Sequence, residues 1–279
     1  MQRGLTARFA SGMVISTWVF SLATSGCNRT APDTSKEAKP AELRSKTTDG
    51  RMSPWLKNLG QFQRQITTAS PEAQRLYNQG LTLYYGFNHQ EAVRSFQEAA
   101  RLDTQCAMAY WGEALSLGPN INDSFPDADR EKQAYAVVKK ALELKPASSA
   151  TEQALIDAVA TRYVKTPQAD RKKLNAAYAQ AMTGVYKRFA ADPDVAALYA
   201  ESVMDTMPWA YWKKDGRPQP GTKELVAALE SVIAKYPDHP GANHLYIHAV
   251  EASPDPDRAV ACADRLGGLV PAAGHLVHM

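Results

Sequence analysis

The sequence lacks the patterns that mark most catalytic families. It has no Gly-x-Gly-x-x-Gly or Gly-x4-Gly-Lys-Ser/Thr loop to cradle phosphates, no Gly-x-Ser-x-Gly nucleophile elbow and no His-Glu-x-x-His helix. It also lacks charge of one sign. Lys and Arg number 32 against 29 Asp and Glu, with no long run of either, so no electrostatic footprint for nucleic acid is present. Alternating β-branched runs are scarce, which argues against sheets. The most apolar stretch, Phe9 to Ala23, is shorter than the roughly 20 residues of a membrane span. What is there, 44% apolar and 22% charged residues in a 279-residue chain, suffices for a substantial buried core. Only three cysteines occur, and Cys106 and Cys262, far apart in sequence, read as buried free thiols rather than a disulfide.

The N-terminus reads as an export signal. Arg3 and Arg8 precede the apolar stretch, and Ala23-Thr24-Ser25-Gly26 leads into Cys27 as a small-residue cleavage context. Ser25-Gly26-Cys27 resembles the bacterial lipoprotein processing site, although Thr24 stands where Leu is usual. That resemblance implies a lipid on Cys27 and a protein exported to the periplasm or outer membrane but tethered there; Asn28 in place of Asp leans towards the outer membrane. The alternative is an ordinary secretory signal with an incidental Cys. Residues 28–50 are rich in Pro, Ser, Thr, Lys and Glu and cannot repay the entropy of ordering. The expected organisation is a signal peptide over 1–26, lipidated Cys and flexible tether over 27–55, and a helical domain over 56–279.

From Ser70 onward apolar residues recur at three- and four-residue steps, which predicts an all-α domain. Within it, Leu76, Gly80, Leu83, Ala92, Phe96, Ala99 and Thr104 carry the spacing of the tetratricopeptide (TPR) unit, a helical hairpin of about 34 residues. Gly80 and Ala92 are small so that the two helices approach; Phe96 and Ala99 fill the contact with the next unit. Closing prolines at 146, 193, 237 and 271 mark four further hairpins. The middle three are stretched by insertions at Gly118 to Asp129, Tyr163 to Arg171 and Pro208 to Thr222, and loops of that length are usually functional or disordered. The expected architecture is a TPR-like α-α superhelix, a solenoid of antiparallel hairpins, against the alternative of an irregular helical bundle. In the last insertion Trp209, Tyr211 and Trp212 need cover, either as a satellite core or as a lid on a ligand.

Four of the six histidines fall near the end: His244, His248, His275 and His278. His244, His248 and Glu251 share one helical stripe, and His275 and His278 share another. His244 and His278 hold equivalent places in successive units. Imidazoles and a carboxylate converging from two helices match the ligand sets of zinc, copper or iron. The alternative is a polar groove of neutral, hydrogen-bonded histidines. His89 and His239 sit between helices and are expected at the surface.

The stretches Cys106 to Asn122, His239 to Ser253 and Pro271 to Met279 resemble a family of exported bacterial TPR proteins to which no reaction is assigned. In that family the last motif continues into another helix pair, so the chain is expected to be truncated. The TPR resemblance implies that the first helix of each unit lines a concave groove, here Tyr77, Leu81 and Tyr84, then Met108, Trp111 and Leu115, then Ala197, Ala200, Met204 and Met207. These residues read as core packing or as a binding wall. The leading functional expectation is a lipid-anchored, non-enzymatic scaffold that holds a protein or peptide partner in the cell envelope. The alternative is a metal-binding protein, with or without enzymatic activity, built on His244, His248, Glu251, His275 and His278. A weaker third is a sensor whose pocket is roofed by the Trp209 loop.

Overall fold

The computed structural model describes residues 50–166 and 170–279; the expected signal peptide, Cys27 and the expected tether up to residue 49 lie outside them. Among the described residues the fold is all-α, with eleven α-helices and no strand.

Six of the eleven helices start at a side-chain cap that the sequence supplies. Ser70 accepts from Ala73 N–H ahead of Pro71 at the start of α1 (Pro71–Tyr85), and Gly86-Phe87-Asn88 turns the chain into α2 (His89–Leu102). After α3 (Ala107–Leu117), Asp127 caps α4 (Ala128–Leu144). Ser149 and Glu152 form a reciprocal capping box on α5 (Ala150–Ala160), and Asp170 caps α6 (Arg171–Arg188). Asp192 and Pro193 open α7 (Pro193–Met204), and α8 (Thr222–Lys235) follows the third insertion. His239 and Pro240 open α9 (Pro240–Val250), which leads to α10 (Val260–Leu269) and the short α11 (Gly274–His278).

Consecutive helices pair as five hairpins, α1/α2 to α9/α10, and the three long insertions fall where the sequence places them. The odd-numbered members form an inner layer: every residue of α9 and nearly every residue of α3 and α7 is buried. The even-numbered members are amphipathic outer helices; α4 buries only Ala134, Val138 and Ala141, one stripe at helical spacing. Phe96 of α2 sets the distance between the first two hairpins. A Cβ added at Gly80 would meet its ring at 2.8 Å, and one at Gly112 of α3 at 2.4 Å, so both positions must be glycine for this packing. Cys106 and Cys262 are buried free thiols, as expected.

Inner helices pack side by side, α1 with α3, α3 with α5 and α7 with α9, and α1 also packs against α9. The first and fifth hairpins therefore meet. This contact corrects the reading of an open groove: Tyr77, Leu81, Tyr84, Met108, Trp111, Leu115, Ala197, Ala200 and Met204 are all buried, and Met207 is partly so. Those of α1 and α3 pack in one core cluster and those of α7 in a second, because inner helices that close up leave no free concave wall.

The boundary between tether and domain also shifts. Residues 51–69 carry no helix yet run across the hairpins as a strap. Ser53 is fully buried with its Oγ 3.2 Å from Ser95 Oγ, Leu56 N–H donates to Gln79, and Arg64 pairs with Asp192 and Asp194 at 2.7 and 2.9 Å. Trp55 packs on the core, so the ordered domain starts before residue 56. Further on, Asn58 C=O accepts from Ala272 N–H, and Gly60, at φ +78°, passes so close to Leu269 O that no side chain fits there.

Candidate metal centre

Three of the predicted ligands come together where the first and fifth hairpins meet. His244 and His248 lie one turn apart on α9, and α11 brings His275 alongside. His244 Nε2 stands 3.1 Å from His248 Nε2 and 3.0 Å from His275 Nε2, and one nitrogen from each ring fits within 4.8 Å. Ligands on a tetrahedral ion at about 2.0–2.1 Å stand about 3.3–3.4 Å apart, close to the two separations at His244, while the group as a whole spans up to 4.8 Å.

The outer nitrogens decide which way the lone pairs point. His244 Nδ1–H donates to the Tyr85 carbonyl at 2.6 Å, and His248 Nδ1–H donates to Glu251 Oε1 at 2.9 Å. With Nδ1 protonated, each neutral ring turns an Nε2 lone pair inward. Two lone pairs facing each other at hydrogen-bond distance repel unless a cation lies between them. A proton is a poor candidate at His244: burial first, then His248, holds its imidazole well below the usual range, against the Tyr85 hydrogen bond. His275 is lowered too, by burial, then by His248 and His278. The arrangement has the form of a metal centre whose ligands are oriented by a carboxylate and a backbone carbonyl.

Aromatic rings enclose the trio. Phe87 lies edge-on to His244 at 4.3 Å between centroids and stacks with His275 at 5.4 Å and His248 at 5.8 Å. Trp209 stands edge-on to His248 at 5.0 Å. Phe87 and Trp209 adopt φ +55° and +61°, a region that bulky residues rarely enter. Both strained residues aim a ring at the histidines, which is where such strain tends to be kept. Trp209 remains 48% exposed and His275 is half-buried, so the centre has one open side. The other two aromatics of that insertion pack inward: Tyr211 is buried, and Trp212 donates to the Ala249 carbonyl at 2.8 Å.

Two predicted ligands stand apart. His278, next to the end of α11, is exposed and outside the group. Glu251 holds His248 from behind rather than facing the shared space.

Sequence reasoning misplaced two histidines. His239 is buried: its Nδ1 caps α9 by accepting from Ala242 N–H, and its Nε2 lies 3.3 Å from Asp194. The signal was present, since His239 directly precedes Pro240, the place of a helix cap. His89 is half-buried with both ring nitrogens shut off from solvent, stacked 5.5 Å from Phe87, and burial, followed by Arg130, lowers its pKa to about 4. Phe87 and the Tyr85 carbonyl were not foreseen either, because no local pattern predicts that α1 meets α9. No protein-family model matches the chain, and no curated protein matches its sequence.

Proposed function

We propose that this chain is a metal-binding helical-repeat protein of the TPR kind, holding one transition-metal ion on His244, His248 and His275. The observation that carries this reading is the convergence of three Nε2 atoms with two of the rings fixed from behind. Three neutral imidazoles with an open fourth position suit zinc or copper, and that position would take water or an exogenous ligand. When bound, such an ion supplies Lewis acidity and lowers the pKa of the water it carries. The chain's own part is to orient the imidazoles through Glu251 and Tyr85 and to exclude bulk water with Phe87 and Trp209.

The peptide-binding scaffold gains no support from the inner face, whose proposed contact residues are buried. Lipid anchoring at Cys27 remains part of the proposal on sequence grounds; Cys27→Ser should release the protein from membranes, and unchanged membrane association would refute it.

Metal-depleted protein titrated with Co(II) tests the site. One equivalent should bind with the intense visible absorption of a low-coordinate ion, His244→Ala, His248→Ala and His275→Ala should each lose it, and His278→Ala should keep it. No saturable uptake by the parent protein would refute the proposal.

A further inference from the structure

Of the three histidines proposed to hold the ion, His275 has the least support of its own. His244 and His248 ride on α9, whose residues are all buried, and each has its Nδ1 tied, one to the Tyr85 carbonyl and the other to Glu251. Among the described residues His275 has no such outer partner: its one side-chain hydrogen bond is the Nε2 contact to His244, and its ring is half-buried. It sits on α11, which is five residues long and has no side-chain cap, and a helix that short does not hold itself in water. The place of its ring is therefore set by whatever holds the backbone between Leu269 and Gly274.

Two parts of the fold hold it. Val270, Ala273 and Leu276 are buried in the second core cluster. The other part is the strap. Asn58 C=O accepts from Ala272 N–H at 2.9 Å, three residues before His275, and Gly60 lies directly against the carbonyl of Leu269, the last residue of α10. Asn58 at φ +61° and Gly60 at φ +78° both take left-handed backbone, which these two residue types accept most readily, and the strap makes its close approach there.

On either side of this contact the strap is fixed by parts of the fold that carry no ligand. Upstream, Met52 N–H donates to Glu98 and Leu56 N–H to Gln79; downstream, Arg64 pairs with Asp192 and Asp194, and Thr67 N–H donates to Glu152 at 2.7 Å. Residues 58–62 between those anchors reach across to the fifth hairpin. Leu59 packs on both core clusters, and Phe62 meets the His239 ring edge-on at 5.2 Å. Cavities of about 460 and 560 Å³ flank this stretch, one against α1 and one against the end of α10, so it rests on a handful of contacts.

We infer that the strap is a positioning element for the third ligand: docked, it fixes the turn between α10 and α11 so that His275 Nε2 reaches the ion, and lifted, it leaves a two-histidine site. This rests on the metal reading proposed above and adds the means by which that site is completed. Asn58 and Gly60 act through the backbone of residues 269–274 and not as ligands. The coupling is reciprocal, so the factor that strap docking adds to metal affinity is the factor that the metal adds to strap docking.

Gly60→Ala drives a methyl group into the Leu269 carbonyl and forces the strap away from it. Competition of the metal-depleted full chain with a chromophoric chelator for Zn(II) should show affinity weakened about tenfold, as for loss of an outer partner. Gly184→Ala, with open space at its Cβ, should match the parent protein. A merely structural role would not give the next result: in His275→Ala, whose two remaining imidazoles do not depend on α11, adding Gly60→Ala should cost nothing further. Hydrogen exchange needs no variant. Zn(II) should slow exchange of the Ala272 amide about tenfold, by the same reciprocity, and leave that of Met52, anchored on Glu98, unchanged. Zn(II) uptake by the parent protein with undiminished affinity in Gly60→Ala, an equal loss in the His275→Ala background, or Ala272 exchange unmoved by the ion would overturn this inference alone. No uptake by the parent protein would overturn the metal reading and this inference with it.

Discussion

Glu251 offers the sharpest distinction between a residue that binds the ion and one that aims a ligand. Its Oε1 accepts from His248 Nδ1 at 2.9 Å, and its side chain is 44% exposed. Removing it leaves the three Nε2 atoms in place but frees the His248 ring to rotate and to change tautomer. Loss of such an outer partner costs about 10- to 100-fold in metal affinity, and the exposure of this carboxylate places the effect near the lower end, about 1.4 kcal/mol. Glu251→Gln keeps an acceptor oxygen and should lose less than Glu251→Ala, whereas His248→Ala should lose more than either. Competition of metal-depleted protein with a chromophoric chelator gives all four affinities. The reasoning fails if Glu251→Ala binds as tightly as the parent protein. It fails equally if that variant is as damaged as His248→Ala, which would make Glu251 a ligand.

Other consequences follow from the packing and the titrating groups. Gly112→Ala drives a methyl group into the Phe96 ring and should destabilise the fold by about 1–3 kcal/mol in denaturant titration, while Gly184→Ala, with nothing near its Cβ, should not. His89 has its pKa lowered from 6.5 to about 4, so below pH 6.5 the unfolded chain takes up a proton that the folded chain refuses. Unfolding free energy of metal-free protein should therefore fall by about 2–3 kcal/mol between pH 6.5 and 4 on account of this residue, and His89→Gln should flatten that part of the profile. Cu(II) should quench the emission of Trp209, whose ring stands 5.0 Å from that of His248, and Trp209→Phe should remove most of the quenchable signal.

The helical class, the five hairpins and the three insertions were legible because they rest on local signals: apolar spacing, closing prolines, and the Gly80, Ala92, Phe96 pattern that the packing uses. His244 and His248 were legible for the same reason, since one helical turn fixes their proximity. The rest depended on contacts between distant segments. Strap residues such as Ser53 and Trp55 look like tether because their partners, Ser95 and the side chains around it, lie far along the chain. Register placed both His275 and His278 beside His244 and His248, but it could not show that α11 brings only His275 to them. The inner-face residues were found by register, which left core packing and a binding wall both open; only the approach of α1 to α9 closes the inner face. That same approach supplies Phe87 and the Tyr85 carbonyl, which turn two helical histidines into a bounded centre.

The most direct test of the central claim is X-ray absorption of protein reconstituted with one equivalent of Zn(II). Three imidazole nitrogens at about 2.0–2.1 Å and one further oxygen or nitrogen ligand are the predicted shell, with His275→Ala reduced to two imidazoles and His278→Ala unchanged. A shell of water and carboxylate oxygen, or one that survives His244→Ala, would contradict the account.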